Sequence, residues 1–165
     1  MRALVCVASK HGSTLQVGQA IERRLAAHGL EVDLMSPEAV TSLEGYDVVV
    51  LGSALYANRM MPAMAAFTHR WGEALARLPA YLFTSGPLDP GPVDGIPLPR
   101  DARDLAAFIG AREAKLFAGS MAPAGLKATE RAVMRMIGAR GGDYRDFAQI
   151  EEWADAIARS TGQTA

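Results

Sequence analysis

Cysteine is almost absent, with Cys6 alone among 165 residues. A single cysteine closes no internal disulfide, and no Cys/His spacing suits a zinc site. Set in an apolar run, Cys6 reads as a small buried hydrophobe in a reducing cytosol. No apolar stretch reaches the roughly 18–20 residues of a membrane span. The segment from Met1 to Ser9 lacks the core of a signal peptide. Neither sign of charge dominates: 17 basic residues against 18 acidic leave −1, which gives no global drive toward nucleic acid. His11, His28 and His69 stand far apart, none with a ligand-like neighbour three or four positions on, so no metal is expected. No Gly-x-Ser-x-Gly is present. No repeat or interdomain linker divides the chain, and its length fits one domain over 1–165. A soluble, cytoplasmic, single-domain protein is the expectation.

Five β-rich runs are there instead. Ala3 to Val7 and Val48 to Leu51 are continuously apolar, as central parallel strands covered on both faces are. Glu31 to Met35 alternates, as an edge strand does. Ala80 to Phe83 and Lys115 to Ala118 complete the set. Helical periodicity fills the intervals. Val17, Ile21, Leu25 and His28 form one stripe, and Gly29 sits where that helix should stop. Pro62 opens a second helix with Met64, Phe67, Trp71, Leu75 and Leu78 inward. Asp101 is expected to cap a short helix that buries Leu105, Phe108 and Ile109. A last helix runs from about Phe147 to Arg159, with Phe147, Ile150, Trp153 or Ala154, and Ile157 on one face. The interval from Ser36 to Tyr46 is too broken for a full helix. Gly86 to Pro99, with five prolines and three glycines, predicts an irregular loop. Residues 121–145 form an insert. The alternation implies a mostly parallel sheet with helices on both faces.

Ligands of open parallel sheets bind beyond the carboxyl ends of the strands. That directs attention to 8–14, 52–61 and 84–92. In the first, Ser9, Lys10, His11, Gly12, Ser13 and Thr14 run from strand into helix. Small hydroxyl residues, one glycine and a helix N-terminus suit a phosphate. The loop is neither a Walker A motif nor a GxGxxG.

Ser9-x-x-Gly12-x-Thr14 after the first strand resembles the FMN-phosphate loop of flavodoxins, with His11 where Thr is usual. The resemblance extends through Tyr46 to Leu51 and Gly52 to Arg59. It continues through Phe117 to Ser120, Gly141 to Asp143 and Ile150 to Asp155, and thus spans nearly the whole chain. Within the flavodoxin-like group it is nearest to the bacterial menaquinone-dependent protoporphyrinogen oxidases. It implies a three-layer α/β sandwich with a five-stranded parallel sheet in the order 2-1-3-4-5, and FMN as cofactor. It sets Ser53, Ala54, Leu55, Tyr56, Ala57, Asn58 and Arg59 along one side of the flavin, with Tyr56 stacking. Ser85, Gly86, Pro87 and Leu88 form the other wall. No residue beyond the flavin is expected to be catalytic, Tyr56 and Arg59 being the candidates. The implied reaction is oxidation of protoporphyrinogen IX, or another small organic redox substrate, with a quinone as acceptor. The alternatives are a flavodoxin-type electron carrier and a small FMN-dependent quinone reductase.

Charge distribution leans toward the enzyme. Shuttling flavodoxins are strongly acidic as a family, and this chain is near neutral. From Lys115 to Arg145 six basic residues face two acids, net +4, which leaves −5 elsewhere. Lys127, Arg131 and Arg135 fall in register on a helix expected over 124–140. That amphipathic helix would offer peripheral contact with the inner face of the plasma membrane. An ordinary surface helix packed on the domain is the plainer reading.

Overall fold

The computed structural model describes residues 1–86, 93, 95–121, 127–136 and 141–162. Pro87 and Leu88 lie outside the described residues, as do 124–126 and 137–140 of the expected basic helix.

The chain runs β1 (Arg2–Ala8), α1 (Ser13–Ala27), β2 (Glu31–Met35), β3 (Val48–Tyr56), β4 (Arg59–Met60) and α2 (Pro62–Leu75). It continues β5 (Ala80–Ser85), α3 (Arg100–Phe108), β6 (Glu113–Phe117), β7 (Ser120–Met121), α4 (Ala128–Met136), β8 (Gly142–Asp143) and α5 (Phe147–Gly162). The main sheet has the order β2-β1-β3-β5-β6, all parallel, with β4 folded antiparallel onto the end of β3. Counting only the parallel strands, this is the expected order 2-1-3-4-5. The alternating β and α segments account for the parallel pairing, because each parallel pair needs a crossover connection, and the order is the one the resemblance implied.

The apolar runs are explained by period two. Ala3, Val5 and Val7 enter one core with Ile21, Phe83, Trp153 and Ile157. Leu4, Cys6 and Ala8 enter the other with Leu51, Met64, Phe67 and Ile109. Every β1 residue from Ala3 onward is therefore buried, whichever way it points. Burial pushes the Cys6 thiol up to about 12, which leaves it an inert core group. Phe83 lies across Gly52, where a Cβ would come within 2.2 Å of the ring. Gly52 is thus a packing requirement of β3, with room for no side chain.

Several boundaries differ from the sequence expectations. β3 runs on to Tyr56, past Leu51, because its partner Arg59–Met60 lies only a two-residue turn away. The helix after Pro62 stops at Leu75, so Leu78 falls in the following turn. Gly29 ends α1 at φ +86° as expected. His28, assigned to the buried stripe, instead lies at the surface with Nε2 2.8 Å from Asp155 Oδ1. Phe108 is 63% exposed, because the helix carrying it is short and turns Ile109 inward in its place. Asp101 does not cap α3; Pro99 holds that position. Its carboxylate accepts the Ala102 N–H at 2.9 Å and the Met60 N–H at 2.7 Å, tying α3 to the β3–β4 hairpin.

On the α1–α5 face, Arg24 donates Nε and Nη2 to the two Asp155 oxygens at 2.6 and 2.8 Å. These bonds, with His28, hold the Asp155 carboxyl down at about 2, below its ordinary 3.8. A depressed carboxylate contributes stability above its unfolded value and loses it as pH falls through the folded one. The thermal midpoint should therefore drop between pH 3.8 and about 2, and Asp155→Asn should flatten that part of the profile. An identical acid limb in the variant would remove the pair from the account.

Candidate functional site

The site is built where β1, β3 and β5 end. Gly12, at φ +82°, lets the chain turn from β1 into α1, a conformation other residues enter at a cost. Its N–H donates to Ser9 Oγ at 3.2 Å, which closes the turn, and the first helical bond runs from Gln16 N–H to the Gly12 carbonyl at 3.0 Å. No side chain caps α1, and its first turn holds no acid. The amide groups there and the positive end of the helix dipole thus face the cleft without a counter-charge on the helix itself. The Ser13 hydroxyl is buried and has no hydrogen-bond partner, and Thr14 is buried beside it. Orphaned donors at an uncapped helix start are what a phosphate monoester satisfies, so these residues fit the FMN phosphate.

The opposite wall is the β3–β4 hairpin. Ala57 and Asn58 both take positive φ, 47° and 60°, the conformation of a tight two-residue turn that matches strand twist. Two interactions fix the hairpin. Asp101 holds the Met60 N–H, and Ser53 Oγ accepts the Met61 N–H at 2.9 Å while donating to the Ala54 carbonyl at 3.0 Å. Ser53 is fully buried by these contacts. Tyr56 stands on the hairpin with its ring centroid 6.2 Å from that of His11 and 5.4 Å from Lys10 Nζ. Gly86, at φ +130° just beyond β5, donates its N–H to the Phe117 carbonyl at 3.0 Å and approaches Leu55 closely.

One cleft therefore gathers Ser9, Lys10, His11, Ser13 and Thr14 with Ala54, Leu55 and Tyr56, and with Ser85 and Gly86. Gly12 shapes the loop from behind, and Ser53 shapes the hairpin. Ala57 and Asn58 form the turn at its tip. Arg59 lines a second, adjoining cavity that also touches Tyr56.

Three participants stand outside the site residues read from the sequence, although Phe117 to Ser120 carries part of the resemblance. Gly119 and Ser120 line the cleft from the segment after β6. Arg145, whose side chain is only 7% exposed, donates Nη1 to the Ser13 carbonyl at 3.0 Å and to Gln16 Oε1 at 2.7 Å. Its Nη2 pairs with Asp143 at 2.6 Å, and the guanidinium holds that carboxyl below the usual range. Arg145 thus braces the start of α1 from more than a hundred positions away. No group of three or more His, Cys, Asp or Glu side chains suited to a metal occurs among the described residues.

Comparisons with known proteins agree with this geometry. The sequence model of a family described as a flavodoxin domain matches residues 4–147. No curated protein sequence matches the chain. Among solved structures, a flavodoxin from the domain Archaea is similar with TM-score 0.64 at 15% identity, over 98% of this chain and 99% of that one. A flavodoxin of Streptococcus pneumoniae TIGR4 gives 0.60 at 16%, covering 100% of both. Rubredoxin oxygen:oxidoreductase of Desulfovibrio gigas gives 0.67 at 15%, over 98% of this chain but only 36% of that protein. At these identities the likeness is one of fold.

Proposed function

Since the chain belongs to the flavodoxin domain family, we propose that it is an FMN-dependent electron-transfer protein of the flavodoxin type. FMN is its cofactor, and when bound it supplies one- and two-electron redox chemistry. The observation that carries the reading is the buried, unpartnered Ser13 hydroxyl at the uncapped start of α1, facing a Tyr56-bearing wall. The α1 N–H groups, Ser13 and Thr14 would hold the phosphate. Tyr56 covers apolar ring surface at little conformational cost and keeps water from that face. Lys10 and His11, across from Tyr56, put donors beside any negative charge that reduction leaves.

A finer reading, oxidation of protoporphyrinogen IX with a quinone acceptor, has the basic 115–145 segment in its favour. Lys127, Arg131 and Arg135 are exposed at or on α4, with Met136 85% exposed at its end. In this reading the segment meets porphyrinogen propionates or an anionic membrane surface. No helix among the described residues is long and apolar enough to cross a membrane. One experiment addresses both readings. Reduced, FMN-loaded protein should reduce a one-electron acceptor such as ferricyanide to completion with no organic substrate present. Failure to do so faster than free reduced FMN would end the electron-transfer proposal. Porphyrin fluorescence developing from protoporphyrinogen IX with added quinones, well above the rate with free FMN, would establish the dehydrogenase in its place.

A further inference from the structure

A second cavity adjoins the cofactor cleft, and the proposed electron-transfer function makes no use of it. About 790 Å³ opens between α2, α3 and the β3–β4 hairpin, a volume in the range of small-molecule sites. Tyr56 lines both spaces. Met60, Ala65, Leu105 and Phe108 supply an apolar lining. The Phe108 ring is exposed yet seated: it lies against Gly72, where a Cβ would come within 2.3 Å of it. A glycine at that point of α2 gives the ring a fixed place as the far wall.

The charges around the groove balance. Asp101 is engaged by the Met60 and Ala102 N–H groups, and Asp104 faces Arg100 Nε at 3.6 Å. With Arg59 on the hairpin and His69 on α2, no net charge awaits an ion, and an ion entering an apolar groove loses hydration without compensation. Arg59 still presents guanidinium donors to an acceptor oxygen. Aromatic walls favour a flat ring over a branched chain.

We propose that this groove binds an uncharged, planar aromatic molecule bearing a carbonyl-type acceptor, its rings along Phe108 and Tyr56 and its oxygen toward Arg59. The occupant then shares Tyr56 with the flavin site as a lining residue. Only its significance as a redox partner rests on the electron-transfer reading; binding rests on the groove.

Prodan, an uncharged naphthalene ketone with environment-sensitive emission, is the probe. Titrated into apoprotein and FMN-loaded protein, it should bind saturably and one-to-one in both. Ala65→Trp, which fills the groove from the exposed side of α2, should weaken it at least about tenfold, and Phe108→Ser should weaken it too. Both variants should still quench FMN fluorescence as the wild type does. Displacement of prodan by FMN, or unchanged prodan affinity in both variants, overturns the site. Tighter, Arg59-dependent binding of the anionic anilinonaphthalene sulfonate would overturn the uncharged class. Prodan binding as described in a protein that fails to bind FMN supports the groove and rejects the flavin reading alone.

Discussion

Replacing Ser13 and Thr14 together by Ala should cost FMN about 3–6 kcal/mol of binding, since each hydrogen bond to a charged group is worth roughly 1.5–3. That is a loss of roughly a hundred- to ten-thousand-fold in affinity. Riboflavin, which has no phosphate, should bind the wild type and the variant alike, so the preference for FMN collapses while ring binding persists. The Ser13 hydroxyl is already buried without a partner, and its desolvation is therefore already spent in the folded chain. Ser9→Ala should do less, about 1 kcal/mol, because Ser9 Oγ serves as acceptor for the Gly12 N–H. Fluorescence quenching titrations with both flavins decide the matter. Wild-type protein that binds FMN and riboflavin equally would remove the phosphate from this loop.

Trp153→Ala should destabilise the fold by about 3–5 kcal/mol, the usual range for truncating a buried large aromatic. The indole is 4% exposed and meets Phe117 edge-on at 5.6 Å between centroids, with Tyr81 and Phe83 each at 6.2 Å. It joins α5 to the sheet, where Tyr81, Phe83 and Phe117 pack against it in one buried cluster, so its removal leaves those three rings without their shared partner. For a chain of this length the thermal midpoint should fall by roughly 6–20 °C. FMN affinity measured well below that midpoint should hold, since the cleft draws on loops at the strand ends. A loss under about 1 kcal/mol in urea would mean that the cavity collapses at little cost.

The sequence by itself determined the layered, parallel fold, and the family resemblance of its motifs implied the strand order. Runs such as Ala3 to Val7 can be apolar at every position only if both faces are covered, and helical stripes between them then dictate parallel pairing. The candidate phosphate loop was legible for the same reason: hydroxyls, one glycine and a helix start are contiguous in the chain. The Tyr56 segment was legible as a neighbour of that loop, although the hairpin that carries it was not, because a two-residue turn with two positive φ values and no glycine has no composition signal. Tertiary structure alone decided the rest. Asp101 looks like a helix cap until the hairpin is folded against it, and His28 looks like core until Asp155 of the last helix is placed beside it. Arg145 reads as one more charge in a basic insert, yet it braces the Ser13 carbonyl. Gly52 and Gly72 reveal their purpose only through the rings of Phe83 and Phe108 that lie on them. The physical division is one of range. Periodicity and contiguous donors are local properties, written in neighbouring residues. Bracing, packing and the groove beside Tyr56 depend on groups that meet only after the crossovers have closed.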